Sequence, residues 1–260
     1  MTTSVSSQTA QPTVALFVSD LHLQASLPAT TAAFLAFLQT HAVHSRQLYL
    51  LGDIFEYWAG DDDLVTPYNR QVADALKAVQ AQGVELFWMA GNRDFLVGEA
   101  FAAAAGLSLL PDPHVITEAG RTITLAHGDA QCTDDVAYMA FRAQVRQPAY
   151  QQQFLSMPLA QRKAIIEGMR KTSQQSNQDK SMEIMDVNAD AIDALFAQTG
   201  ATTLIHGHTH RPALHRLDGG RLRYVLPDWE YDVAAPRGGW ISLTGDGQLH
   251  RFDAAGMEIG

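Results

Sequence analysis

"QLYLLGDIFEYW", residues 47–58, runs from five mostly apolar residues straight into a glycine and an acid. A short apolar run of this kind suits a buried strand, and the glycine marks the turn that ends it. The same pattern recurs along the chain: "VALFVS" (14–19) precedes "DLHL", "VELFWMA" (84–90) runs into "GNRDF", "RTITLA" (121–126) into "HGD", and "TTLIH" (202–206) into "GHTHRP". Between the early strands, "PATTAAFLAFLQTHA" (28–42) and residues 67–82 carry apolar residues at helical spacing, with Gly83 as a stop. Strand, loop and helix in alternation predict a layered α/β fold. Each polar cluster follows its strand on the C-terminal side, so parallel strands would bring the clusters to one rim, where active sites of open α/β sheets gather.

Composition narrows the function classes. The chain has 260 residues and a formal charge of −10, which argues against a generic nucleic-acid binder. No apolar run approaches the ~18 to 20 residues of a membrane span. Residues 1–12, "MTTSVSSQTAQP", read as a disordered polar tail and not as a signal peptide. The single cysteine, Cys132, excludes an internal disulfide and a cysteine-based zinc site, fits a reducing compartment, and is read as packing.

The stretch of about 135–187 breaks the rhythm within a domain that would span 13–260. "DVAYMAFRAQVR" and "AQRKAIIEGMRK" read as helices separated by Pro148 and Pro158, forming a helical insertion or lid. Between Val136 and Lys180 seven bases (Arg142, Arg146, Arg162, Lys163, Arg170, Lys171, Lys180) face only Glu167 and Asp179. A basic segment in an acidic protein suggests either an anionic partner or a solvated helix face. Tyr138, Phe141, Phe154, Leu155, Ile165, Ile166 and Met169 add apolar surface or helix packing, a mixture that also suits a membrane surface. A helix over 188–199 and strand candidates "RLRYVL", "GWISLT" and "QLHRFD" follow, with turn signals at Gly219-Gly220 and Asp246-Gly247. "DDD" at 61–63 reads as a solvated loop.

The strand-end clusters supply metal donors: Asp20, His22, Asp53, Asn92, His127, His208 and His210. This mixed oxygen and nitrogen set suits Mn, Fe or Zn better than Mg or Ca. It exceeds the needs of one tetrahedral ion. Two ions sharing Asp53 would use it, and ions about 3.5 to 4 Å apart polarise a phosphoryl group and lower the pKa of bound water. Each piece alone is weak, since Gly-Asp is common, Asn after Gly often serves a turn, and His127 suits a core. The ordered combination is specific.

That ordered set resembles the calcineurin-like metallophosphoesterases over essentially the whole chain after the tail. The resemblance implies a four-layer α/β/β/α sandwich with a helical lid insertion. It implies one ion held by Asp20, His22, Asp53 and His210, and a second by Asp53, Asn92, His127 and His208. His206 is left without a ligand role, as a structural residue or one that holds a ligand in place. The common family pattern has His after the Asn, whereas this chain has "GNRD" with Arg93, a group that clamps phosphate oxygens but cannot deliver a proton near neutral pH.

The longer blocks "GDIFEYWAGDDD", "HGDAQCTDD" and "SNQDKSMEIMDVN" are similar to those of the diphosphatases that act on UDP-2,3-diacylglucosamine in lipid A biosynthesis. "VLPDWEYD" departs from that family by lacking small residues at its turn. The resemblance implies attack of dimetal-bound hydroxide on the uridyl-side phosphorus, releasing UMP and 2,3-diacylglucosamine 1-phosphate. Two divalent ions, with Mn2+ expected, would serve as cofactors, and Asp53, Asn92, Arg93, His127 and His208 would carry catalysis. Substrate contacts are implied at Asn92, Arg93, Asp135, Ser173, Asn177, Lys180 and His208. The implied location is peripheral, on the cytoplasmic face of the inner membrane, with no nucleic-acid or protein partner. A nuclease or phosphatase on the same scaffold is the alternative, and a non-catalytic interaction module would lack one of the ligands.

Overall fold

A computed structural model describes residues 11–178 and 186–260, with the side chains of 171–178 outside the description. Most of the expected tail, and Lys180, therefore lie outside the described residues. The chain opens with β1 (Thr13–Val18), α1 (Pro28–Thr40), β2 (Gln47–Leu51), α2 (Pro67–Gln80), β3 (Glu85–Met89), α3 (Glu99–Ala105) and β4 (Ser108–Leu110). A hairpin of β5 (His114–Glu118) and β6 (Arg121–Leu125) leads into α4 (Val136–Val145), α5 (Pro148–Leu155), α6 (Leu159–Gln178) and α7 (Ala189–Thr199). Strands β7 (Thr203–His206), β8 (Ala213–Arg216), β9 (Leu222–Val225), β10 (Gly239–Thr244), β11 (Leu249–Asp253) and β12 (Glu258–Ile259) complete it.

These strands form two mixed sheets, one of seven in the order β12-β11-β10-β1-β2-β3-β4 and one of five in the order β5-β6-β7-β9-β8. Strands β1 to β4 run parallel, as do β6, β7 and β9. The layering follows from β2, whose five residues are all buried. Successive side chains of a strand point to opposite faces. Leu48 and Leu50 join Phe34, Val72 and Phe101 beneath α1, α2 and α3, while Tyr49 and Leu51 meet Ile123, Leu125 and Ile205 of the other sheet. Tyr49 stacks between Phe17 and Phe87, with ring centroids 5.1 and 4.7 Å away. A third cluster packs Ile192, Leu195 and Phe196 of α7 on Leu204. Helix, sheet, sheet and helix therefore stack as four layers. Burying each such aliphatic side chain contributes roughly 1.5 to 3 kcal/mol.

The expected strands are all present, and β2 and β10 match their expected bounds. Residues 95–120 hold α3, β4 and β5, which the apolar pattern left unread. Pro148 and Pro158 lie between α4 and α6 as expected, but Pro148 also opens a further helix, α5. It occupies the first turn of α5, where its missing N–H costs nothing. The short β8 pairs only with β9 at a sheet edge, so "ALHR" carries no buried-strand pattern.

The helices between β6 and β7 are fastened to the body by their bases. Arg142 pairs with Asp129, Arg146 donates to the Gly91 carbonyl, Arg162 binds Asp62 and the Ala59 carbonyl, Lys163 pairs with Asp63, and Arg170 with Glu56. The positive charge read as awaiting an anionic partner, or as a solvated face, is matched internally at these five positions. Of the apolar set, Phe154 is buried and Ile165 and Ile166 pack against the main core, whereas Phe141, Leu155 and Met169 are each 41% exposed. The "DDD" stretch is likewise not a solvated loop. Asp63 is buried, and the Asp61 carboxylate accepts from Trp58 Nε1 and from the backbone N–H groups of Gly98, Ala100 and Phe101 at 2.9–3.0 Å.

Asp61 thus supplies acceptors to the otherwise unpaired N-terminal donors of α3. Asp61→Ala should cost about 2 kcal/mol, lowering the melting temperature by roughly 4 to 8 °C. A thermal melt of the variant checks this, and an unchanged midpoint would show the contacts to be idle.

Candidate metal centre

Five strand ends meet where the two sheets face each other. Asp20 and His22 follow β1, Asp53 follows β2, Asn92 follows β3, His127 follows β6, and His208 and His210 follow β7. The loops are tied by backbone bonds from Asp20 N to Gly52 O, His22 N to Asp53 O, and Gly207 N to His127 O, at 2.9–3.0 Å. Asp20, His22, Asp53, His208 and His210 all have φ between 50° and 69°. Non-glycine residues rarely adopt that left-handed region. It turns each side chain inward. Two motif glycines are required by space, because a Cβ on Gly91 would overlap Asp53 Oδ1 and one on Gly207 would overlap Asp20 Oδ2.

The donors form two groups, Asp20 with His22 and His210, and Asp53 with His127 and His208, each with its donor atoms within 4.8 Å of one another. In the first group His22 Nε2 and His210 Nε2 lie 3.2 Å apart, and His210 Nε2 lies 3.5 Å from Asp20 Oδ1. Asp20 Oδ2 accepts from the Ser19 hydroxyl and His208 N, whereas Asp20 Oδ1 is buried with no hydrogen-bond partner. In the second group His127 Nδ1 donates to the Leu51 carbonyl at 2.9 Å, which aims Nε2 at Asn92 Oδ1 (3.0 Å) and Asp53 Oδ1 (3.6 Å). Oxygen and imidazole ligand atoms converging within 4.8 Å, with one buried carboxylate oxygen left unpartnered, suit a cation. The residues fit a pair of metal ions.

Electrostatics agree. Burial alone would raise the Asp20 carboxyl, but the close approach and charge of His210, with the charges of His127 and His22, hold it well below the usual carboxylate range. His127, which burial would lower, is raised to about 9 by Asp53, Asp20, Asp129 and its Leu51 bond, so a proton takes the place a cation would fill. His208 is pushed down to about 4 by burial and by His127, leaving a neutral ring. The Asp53 charge acts on His22 of the first group and on His127 of the second, as a shared ligand should.

Around this set stand residues that were not among the expected ligands. Buried Asp94 accepts from Gly91 N and Ile54 N at 2.8 Å and from Asp53 N at 3.3 Å, clasping the β2 and β3 loops. Burial and the Asp53 charge push it up to about 6. Asp129 accepts from Tyr138 and Arg142, and the Tyr138 ring stacks 6.1 Å from His208. Glu56 meets His22 Nδ1 at 2.9 Å, and Asp228 lies 3.6 Å from His210 Nδ1. The spacing of Glu56, three residues after Asp53 in "GDIFE", was an available signal, and "HGD" contained Asp129. Asp228 follows the expected strand "RLRYVL" after a single proline, a strand-end placement that was also an available signal.

Among the remaining candidates, Arg93 is partly exposed at the rim, its backbone N–H on Asp53 Oδ1 at 2.8 Å and its guanidinium 3.7 Å from Glu56. Asp135 accepts from Tyr138 N as the N-cap of α4. The side chains of Ser173 and Asn177, and all of Lys180, lie outside the described residues. His206 belongs to neither donor group. It is buried, with Nε2 3.1 Å from Arg223. Cys132 is buried and pushed up to about 12 by its surroundings, burial foremost.

Residues 14–212 match the family model for calcineurin-like phosphoesterases. The chain belongs to that family. It is 53% identical over 222 residues to a UDP-2,3-diacylglucosamine hydrolase of Aromatoleum aromaticum, covering 84% of this chain and 90% of the relative. Identity to the Sodalis glossinidius protein of the same name is 46% over 241 residues, covering 93% of this chain and 99% of the relative. The Ralstonia nicotianae protein of that name is 47% identical over 242 residues, covering 90% of each chain.

The buried His206 has an acid-stability consequence. Burial, then the Arg223 charge, push its pKa down to about 3, whereas in an unfolded chain it titrates near 6.5. Below that unfolded value only the unfolded chain gains the proton, so stability is lost as pH falls from about 6.5 towards 3. In chelator-treated protein, His206→Asn should show a smaller drop in melting temperature between pH 7 and pH 5 than the parent. Equal drops would show that His206 is not a source of the sensitivity.

Proposed function

We propose that this chain hydrolyses the diphosphate of UDP-2,3-diacylglucosamine, giving UMP and 2,3-diacylglucosamine 1-phosphate. The observation that carries the reading is the convergence of two donor groups about Asp53, in a chain 46–53% identical to hydrolases of that name. Asp20, His22, Asp53 and His210 would hold one ion, and Asp53, Asn92, His127 and His208 the other. A divalent pair there supplies Lewis-acid polarisation of a phosphoryl oxygen and a lowered water pKa. On ligand type the set favours Mn2+ over Mg2+.

The surrounding side chains divide the remaining work. Leu51 fixes the His127 tautomer, and the neutral His208 keeps a lone pair to offer. Arg93, partly exposed beside Glu56, presents a planar fork to phosphate oxygens. Because the described bases of α4 to α6 are matched to the body, orientation of the diphosphate falls to Arg93 more than to them. Phe141, Leu155 and Met169 leave apolar surface on those helices for acyl chains. Each methylene buried is worth roughly 0.8 kcal/mol, against ~0.2 to 1 kcal/mol for an exposed ion pair, so a few methylenes dominate selection. The same surface suits peripheral contact with the inner membrane on its cytoplasmic side. No helix of the described residues is long and apolar enough to cross a membrane.

Mass spectrometry of products from the acylated UDP-sugar tests the reading. UMP should appear with Mn2+, vanish with chelator, and form poorly from a UDP-sugar lacking acyl chains. Release of UDP, or equal kcat/KM for the two sugars, would contradict it. Asp53→Ala should lose more than about a hundredfold, the upper end for residues that only support ligands, and His206→Ala much less than His208→Ala. Arg93→Lys should lose most activity despite keeping the charge, and parent-like kcat/KM in that variant would exclude a bidentate role.

A further inference from the structure

We infer that Glu56 and Asp228 are positioning residues that make the Asp20–His22–His210 group the tighter of two metal sites, so that its ion stays bound while the other exchanges. The inference rests on reading the two groups as a metal pair. A histidine that coordinates through one ring nitrogen is oriented, and its basicity set, by what the other nitrogen meets. In the first group the Nε2 atoms of His22 and His210 face each other at 3.2 Å, which turns both Nδ1 atoms outward. Each then faces a carboxylate: His22 Nδ1 lies 2.9 Å from Glu56 Oε2, and His210 Nδ1 lies 3.6 Å from Asp228 Oδ2, an ion-pair approach longer than a hydrogen bond.

Neither carboxylate is a passing surface group. Asp228 is 4% exposed and Glu56 9%. Each is anchored by an arginine, Glu56 by Arg170 of α6 at 2.5 Å and Asp228 by Arg237 of its own β9–β10 connection at 2.7 Å. Glu56 arrives from the turn after β2 and Asp228 from the loop after β9, so the two imidazoles are braced from separate elements.

The second group is backed differently. His127 Nδ1 donates to the neutral Leu51 carbonyl and Asn92 is a neutral donor, while Asp129 acts on His127 and His208 through its charge, its oxygens accepting from Tyr138 and Arg142. Beyond the shared Asp53, the first group therefore has Asp20 and two anionic supports, and the second has no carboxylate of its own. A carboxylate on Nδ1–H raises electron density at Nε2 and holds the ring in place before the ion arrives, which strengthens binding. The asymmetry in charge and support predicts an asymmetry in retention.

The experiment is Mn2+ titration of the full chain after chelator stripping, with free Mn2+ followed by electron paramagnetic resonance. The parent should bind in a tighter and a weaker step. Glu56→Gln and Asp228→Asn, which keep shape and remove charge, should each weaken the tighter step about ten- to a hundredfold and leave the weaker within about threefold. Asn92→Ala should weaken the other step. Each charge variant also leaves an arginine without its partner, so its metal-free melting temperature should fall; the Mn2+-induced rise, taken from each variant's own metal-free midpoint, should shrink as well, which loss of the ion pair alone would not produce. An unchanged tighter step in both variants, or a loss confined to the weaker step, overturns the inference. A parent that binds no Mn2+ overturns the metal reading itself, a distinguishable result.

Discussion

Five of the seven candidate ligands converge only because the backbone that carries them turns left-handed as it leaves its strand. Asp20, His22, Asp53, His208 and His210 share that conformation, and for non-glycine residues it costs of order 1 to 3 kcal/mol each. The surroundings must overdetermine it. They do so with the backbone ties between the β1, β2, β6 and β7 loops, with Asp94 clasping three N–H groups of the β2 and β3 loops, and with glycines at 52, 91 and 207 where carboxylates or backbone press close. The strands exist to hold these turns at one height.

A centre built this way concentrates charge, and the rest of the chain is arranged to balance it. Buried acids outnumber the cations between them, so arginines come in beside them: Arg142 of α4 to Asp129, Arg170 of α6 to Glu56, and Arg237 of the β9–β10 connection to Asp228. Two of these three belong to the helices inserted between β6 and β7. Those helices are therefore part of the electrostatics of the centre as well as a cover for it. Arg170 touches Glu56, which touches His22, so a change in α6 can reach a candidate ligand through two contacts.

Much of this was legible in the sequence because it depends on short-range pattern. β2 reads correctly since a strand buried on both faces must be apolar throughout, and each candidate ligand sits within a few residues of such a strand. What was not legible depends on partners far away in the chain. Glu56 and Asp228 matter only because β1, β2, β7 and β9 bring their ends together, placing His22 and His210 in contact across 188 positions of sequence. The acids of "DDD" look solvated until α3 and α6 dock on them, and the bases of α4 to α6 look free until Asp129, Gly91, Asp62, Asp63 and Glu56 are seen beneath them. Local composition records the charge of a segment but not what faces it.

The shared ligand is the point on which both donor groups depend. The most direct measurement is the electron paramagnetic resonance spectrum of the chain loaded with two equivalents of Mn2+. Two ions bridged by Asp53 at about 3.5 to 4 Å should give an exchange-coupled spectrum, and Asp53→Asn, with both ions still bound, should lose much of that coupling. A spectrum of isolated, uncoupled Mn2+ in the fully loaded parent would contradict the account.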